Sequence, residues 1–194
     1  MLSNTDTCSI EEYLAFDQEH GAKYEYRDGY IVHLDDFSDA HIWLTENLFF
    51  ECTLALRSKN SACRTMSSQR RLYVPMKSNV FYPDMMVVCG EVQYASKIPG
   101  AILNPTVIVE VLSSTTEGYD RGKKFEYYRS VPTLREYVLI NQDRAFIEWF
   151  YLQPDDVWQF LYQRDLETTL ELRSIDLRLP MDAIYSGVDV PDEV

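Results

Sequence analysis

The sequence predicts an α/β (α+β) fold in which helices pack on a mixed central sheet. Two observations lead to it. From residue 39 the order reads helix, three or four strands, helix, strand, the order of a mixed sheet with helices laid against it. The runs 107–112 and 137–140 are almost unbroken in apolar residues, as central strands buried on both faces require. Composition agrees: a 194-residue chain with 46% hydrophobic and 13% aromatic content can bury the core of one domain.

The elements follow in order. Ser9 stands three residues before Glu12, a capping-box spacing, ahead of an apolar stripe of Ile10, Tyr13 and Leu14; this predicts a short helix. "KYEYRDGYIVHL" alternates about Asp28-Gly29, which reads as the turn of a hairpin. Asp39 to Lys59 is free of Gly and Pro, with Ile42, Leu44, Leu48, Phe49, Cys52 and Leu56 apolar. It predicts a helix of about five turns capped by Ser38 or Asp39.

"ACRTM", "RRLYVPM", "YPDMMVV" and "TVIVEVL" read as strands, "EGYDRGKKFEYYRS" as a helix ended by "VPT", and "REYVLI" as a further strand. Beyond Asn141, "AFIEWFYL" and "VWQFLYQ" flank "QPDD" as a second hairpin, before an edge strand and a short helix around "PMDAIY". A single domain over 1–194 is expected, with its core at about 39–141, an N-terminal helix and hairpin at 9–35 and C-terminal strands at 144–185.

Charge and cysteine content narrow the function. A net charge of −13 runs against a nucleic-acid partner, because proteins that grip phosphates carry basic surface. The cations are uneven, however: "RSKNSACRTMSSQRR" (57–71) holds five Lys or Arg and no acid. That segment is expected to border the functional cleft. Cys8, Cys52, Cys63 and Cys89 form no CxxC, so they read as reduced core residues, and with three histidines Cys/His zinc chemistry is set aside. No run reaches the roughly 18–20 apolar residues of a membrane span, and "MLSNTDTCSIEEYL" lacks the basic start and apolar stretch of a signal peptide. A cytoplasmic protein with no membrane partner is expected.

The chemistry centres on two acids. "YPDMMVV" places Asp84 at the head of one apolar strand, and "NPTVIVEVLSS" sets Glu110 among apolar positions of another. A buried carboxylate needs a partner, a proton or a metal. On neighbouring strands the two would repel unless one is protonated or a cation lies between them, and a hard ion such as Mg²⁺ suits such oxygens. The alternative has Asp84 capping a turn and Glu110 pairing with a buried Arg or Lys. Lys124 falls on the side of the following helix that carries Glu117, Asp120 and Tyr128, where it could orient water or offset charge on a phosphate. An ordinary Asp120–Lys124 surface pair is the competing reading.

Over residues 9 to 185 the chain resembles the Uma-two family of restriction-endonuclease-like proteins in the PD-(D/E)XK nuclease superfamily. The likeness lies in "KYEYRDGYIV", "AHIWLTENL", "YPDMMVV" and the long stretch "NPTVIVEVLSSTTEGYDRGKKFEYYRSVPTLREYVLI". It implies a restriction-endonuclease-like core in which Pro83-Asp84 is the PD and Glu110 the D/E. Position 112 is Leu, so the motif's lysine is displaced into the following helix, with Lys124 the first choice and Lys123 the second. Glu25 matches a family position and either reaches the metal site or is a structural acid bonded to a neighbouring Arg or amide. His41 reads as a helix-terminus residue rather than a substrate contact, and Tyr128 as packing that positions the lysine.

The resemblance implies a Mg²⁺-dependent endonuclease, with Mn²⁺ as a substitute ion, acting on double-stranded DNA as a homodimer. Asp84, Glu110 and the Val111 carbonyl would hold the ion, with the two carboxylates about 4–6 Å apart. A catalytically inactive nuclease fold serving as a binding or assembly module is the alternative.

Overall fold

A computed structural model of the chain describes residues 7–21, 23–34 and 37–190, so the first six residues of the stretch read for a leader lie outside it. Helix α1 (Ile10–His20) has the complete capping box: the Ser9 hydroxyl accepts from the Glu12 amide, and the Glu12 carboxylate accepts from the Ser9 amide. Strands β1 (Tyr24–Arg27) and β2 (Tyr30–His33) form a hairpin whose turn residues, Asp28 and Gly29, both have positive φ. Helix α2 (Asp39–Ser58) starts at Ser38, whose hydroxyl accepts from the His41 amide.

Five strands follow: β3 (Cys63–Ser67), β4 (Leu72–Val74), β5 (Asn79–Phe81), β6 (Met85–Cys89) and β7 (Val107–Leu112). The next helical segment has three parts: α3 (Glu117–Tyr119), a π-helical turn at Asp120–Lys124, and α4 (Phe125–Tyr128). The chain continues through β8 (Glu136–Asn141), β9 (Ile147–Leu152), β10 (Trp158–Gln163), β11 (Thr169–Leu172), β12 (Leu177–Pro180) and α5 (Met181–Ile184).

The expected mixed α+β architecture is present. Its centre is a six-stranded sheet ordered β10-β9-β8-β7-β6-β3. The innermost pair, β7 and β8, is parallel and buried at every position; the other pairings are antiparallel. Period-two alternation divides β7 between two cores. Val107, Val109 and Val111 meet Leu44, Leu48 and Leu56 of α2, with β11, β12 and α5 closing that side. Ile108 and Leu112 meet Tyr127 and Tyr128 of α4. A second sheet, β2-β1-β5-β4, holds α1 through Tyr13 and Tyr26.

Three local readings change. Strand β5 separates β4 from β6, and β6 begins only at Met85, so Asp84 lies in the bend before the strand. The C-terminal segment forms a two-stranded ribbon, β11-β12, and not a lone edge strand. Cys63 and Cys89 face each other across β3 and β6 and are joined as a disulfide, while Cys8 and Cys52 are free and buried. The expectation of four reduced cysteines is therefore corrected. Spacing along the chain carries no information about a cross-strand pair 26 residues apart.

Candidate active site

Four buried carboxylates and one buried lysine converge on a cleft of about 360 Å³ at the end of the central sheet. Asp84 is fixed from two sides. The Val111 amide donates to Oδ2 at 2.7 Å, and His41 Nε2 lies 2.9 Å from Oδ1. Because Val111 follows Glu110, this bond ties the two acids to one corner of the cleft. His41 reaches the site because the start of α2 abuts that end of the sheet, and Phe37 stacks on its ring at 4.3 Å.

Glu110, on the α4 face of β7, receives two bonds on one oxygen. The Tyr128 hydroxyl donates to Oε1 at 2.6 Å, and Lys124 Nζ lies 2.8 Å from the same atom. Lys124 Nζ is also 3.3 Å from Asp120 Oδ1 and 4.0 Å from Glu25 Oε1. The wide π-helical turn precedes α4 and carries both Asp120 and Lys124 inward. Lys123, the second choice, points outward to Glu126. Lys124 is thus the lysine of the cleft.

Glu25 is fully buried. Its Oε1 accepts the Tyr82 amide at 2.8 Å, and its Oε2 takes Arg27 Nε at 2.6 Å. Both partners weighed for a structural acid, a neighbouring Arg and an amide, are there, and the residue also faces Lys124. Val111 meets Asp84 through its amide. The Asp120–Lys124 pair is buried, not the surface pair weighed from sequence.

The electrostatics follow from this crowding. Burial, reinforced by Asp84, Asp120 and Glu25, outweighs Lys124 and pushes the Glu110 carboxyl up to about 8. Burial works against the Lys124 charge, but Glu110, Asp120 and Glu25 overcome it and hold the ammonium above its ordinary value. The pocket therefore carries more negative charge than its own cations neutralise, and it favours an added proton or cation.

Among the described residues, no group of three or more His, Cys, Asp or Glu is disposed to enclose an ion. Asp84 and Glu110 alone suit a hard divalent ion that keeps several of its waters, as Mg²⁺ does. The donor chemistry is that of a partly hydrated ion and not of a closed protein cage, and in this structure the two acids bond to His41, the Val111 amide, Tyr128 and Lys124.

Sequence reading missed three contributors: His41 as a bond to Asp84, Asp120 as a buried acid, and Arg27 as a cleft residue. The available signal for His41 was its place on the apolar stripe of α2, three residues before Leu44. The basic segment does not border this cleft: none of Arg57, Lys59, Arg64, Arg70 and Arg71 lines it. Lys59 pairs with Asp176 and Arg71 with Asp17, while Arg57 and Arg64 line a separate groove between α2 and β3. The hairpin and the segment between β3 and β5 pack on α1, which draws Arg71 away.

Residues 10–182 match the Uma2 family, described as "Putative restriction endonuclease". Two proteins of Synechocystis sp., each described as uncharacterized, are similar to this chain. One is 32% identical over 158 residues, covering 81% of this chain and 88% of its own length. The other is 33% identical over 182 residues, covering 93% and 92%. A crystal structure from Anabaena variabilis, described as a "putative nuclease belonging to DUF820", superposes with a TM-score of 0.73 at 14% identity. It covers 92% of this chain and 97% of that one, a likeness of fold. No helix among the described residues is long and apolar enough to cross a membrane.

Proposed function

The chain belongs to the Uma2 family of restriction-endonuclease-like proteins, and from that premise we propose that it is a cytoplasmic, Mg²⁺-dependent endonuclease hydrolysing DNA phosphodiester bonds. The observation that supports this most is the convergence of Asp84, Glu110 and Lys124 in one buried, over-anionic cleft. Asp84 and Glu110, with the Val111 carbonyl, would hold the ion; Mn²⁺ has the same preference for oxygen and would substitute. When bound, the ion supplies an activated water and positive charge for the phosphate oxygens. His41 and the Val111 amide fix Asp84, and Tyr128 fixes Glu110, so the two acids are held before substrate arrives. Lys124 keeps a positive charge beside Glu110 and steadies the water through that acid.

Double-stranded DNA is the proposed substrate and a homodimer the proposed form, since paired sites suit a two-fold symmetric duplex. Exposed apolar residues support self-association: Trp43, Phe50 and Leu54 along one line of α2, and Phe160 and Tyr162 on the edge strand β10.

A second reading is a module with this fold that binds partners without catalysis. The net charge of −13 and the existing bonds on both carboxylates favour it. Calorimetry with Mg²⁺ and Mn²⁺, alongside cleavage of a supercoiled plasmid, separates the two. The nuclease reading expects both ions to bind wild type, neither to bind Glu110→Gln, and cleavage only by wild type. Absence of ion binding by wild type would leave the module.

A further inference from the structure

We propose that Arg27 is the phosphate contact of this cleft, presenting a guanidinium edge to a backbone oxygen of the nucleic acid. The inference rests on the nuclease reading and adds to it the residue that touches substrate. Lys124 is poorly placed for that task. Its side chain is 5% exposed and its ammonium faces Glu110, Asp120 and Glu25. A phosphate reaching it would have to displace carboxylates from a buried charge.

Arg27 is placed differently. Alternation along β1 sends Tyr26 towards α1 and Glu25 and Arg27 towards the cleft. Nε and Nη2 both reach Glu25 Oε2, at 2.6 and 2.5 Å, and the guanidinium lies over the Tyr119 ring at 4.5 Å. Pairing on one edge and stacking on one face fix its plane. Among the described residues no hydrogen bond reaches Nη1, and the side chain is 17% exposed. Of the two long cationic side chains lining the cleft, it is therefore the one open to solvent.

A planar guanidinium with a free edge matches phosphate oxygens, and holding it in place beforehand lowers the entropy lost on binding. The loop after β7 brings Ser113, Thr115 and Thr116 to the same cleft, where their hydroxyls can complete a phosphate seat. The competing role is that of counter-ion to Glu25 alone. Glu25, however, already accepts the Tyr82 amide and faces Lys124 at 4.0 Å, and neither relation needs Arg27 to line the cleft.

The test is binding of a fluorescent DNA duplex without divalent ions, read by anisotropy over a salt series. Wild type is compared with Arg27→Gln, Arg27→Lys and, as control, Lys123→Ala, whose ammonium points outward to Glu126. Losing one charged hydrogen bond should weaken binding about tenfold. Losing one phosphate contact should lower the slope of log K against log salt by about 0.9. Arg27→Gln should show both losses. Arg27→Lys keeps a cation beside Glu25 and should melt close to wild type with the salt slope kept but affinity lowered, because an ammonium lacks the two-pronged edge. Lys123→Ala should show neither loss.

Wild-type slope and affinity in Arg27→Gln would make Arg27 only a counter-ion and overturn the inference. Should the variants fail to fold, phenylglyoxal labelling of wild type decides, read by mass spectrometry. Bound duplex should protect Arg27 and leave Arg178, exposed on β12, labelled; an unprotected Arg27 overturns the inference. Plasmid cleavage by wild type alongside either negative result removes Arg27 alone. A wild type that neither binds duplex nor cuts with Mg²⁺ removes the nuclease reading, and this inference with it.

Discussion

Lys124 Nζ lies 2.8 Å from Glu110 Oε1, and both side chains are 5% exposed, so each charge depends on the other for its place in the interior. Removing one partner of a buried pair costs about 3–5 kcal/mol, because the remaining charge is left without solvent or counter-charge. Lys124→Met should therefore destabilise strongly in urea, whereas Lys123→Met, on the exposed neighbour, should change stability by less than about 0.5 kcal/mol. The loss should depend on pH. Glu110 keeps a proton up to about pH 8 beside Lys124 and would keep it higher still once Lys124 is gone, so the cost should be larger at pH 9, where the intact pair is charged, than at pH 6. Equal costs at the two pH values would show that Glu110 does not share the burden.

The proton on Glu110 gives a second prediction. Burial pushes this carboxyl up to about 8 from the ordinary 4.5, so between these values the folded chain keeps a proton that the unfolded chain has lost. Stability from this group is full below pH 4.5 and declines as pH rises to about 8, by at most about 1.4 kcal/mol per unit. Glu110→Gln should flatten that decline in urea melts recorded without metal. On the proposed site an Mg²⁺ ion held by Glu110 would displace the same proton, so its affinity should climb with pH and level off near 8. Calorimetry in two buffers of different ionisation enthalpy should report proton release below pH 8 and none above it. Affinity independent of pH from 6 to 9 would exclude Glu110 as a ligand.

What the sequence revealed depended on whether a signal was local. The capping box at Ser9, the Asp28-Gly29 turn, the long α2 and the two central strands all have periodic or neighbour-based marks, and the fold shows them near their expected bounds. Asp84, Glu110 and Lys124 were legible as a resemblance. What holds them was not: His41 is 43 residues from Asp84, Tyr128 is 18 from Glu110, and Glu25 is 57 from Tyr82. Such contacts come from how elements stack, and a single sequence carries no register between them. The π-helical turn adds a residue to one helical turn, so the α-helical wheel that made Asp120–Lys124 a surface pair misjudged which side faces in.

The disulfide between β3 and β6 gives a third prediction. It closes a loop across 26 residues that contains β4 and β5, and a closure of that size is worth about 3 kcal/mol through the unfolded state. Dithiothreitol, or Cys63→Ser with Cys89→Ser, should lower the urea midpoint accordingly. Denatured but unreduced protein should show two titratable thiols, from Cys8 and Cys52, and reduced protein four. Four thiols before reduction would mean that the pair is open in solution, and the stability change should then vanish.

The bond from His41 to Asp84 gives the last prediction. Asp84 Oδ2 is held by a backbone amide that no side-chain change removes, but Oδ1 depends on His41, itself placed by the cap at Ser38 and the Phe37 ring. Removing the group that orients a metal ligand typically costs about 10- to 100-fold in affinity. His41→Ala should weaken Mn²⁺ binding by that factor while costing only about 1–2 kcal/mol of stability. His41→Gln separates two explanations, because its amide nitrogen can donate from near the position of Nε2 yet is a poor metal ligand. Recovery of most of the affinity in His41→Gln would identify the hydrogen bond as what matters. Failure of both variants would point to the imidazole as a direct ligand, and wild-type affinity in His41→Ala would show that Asp84 needs no orientation beyond the Val111 amide.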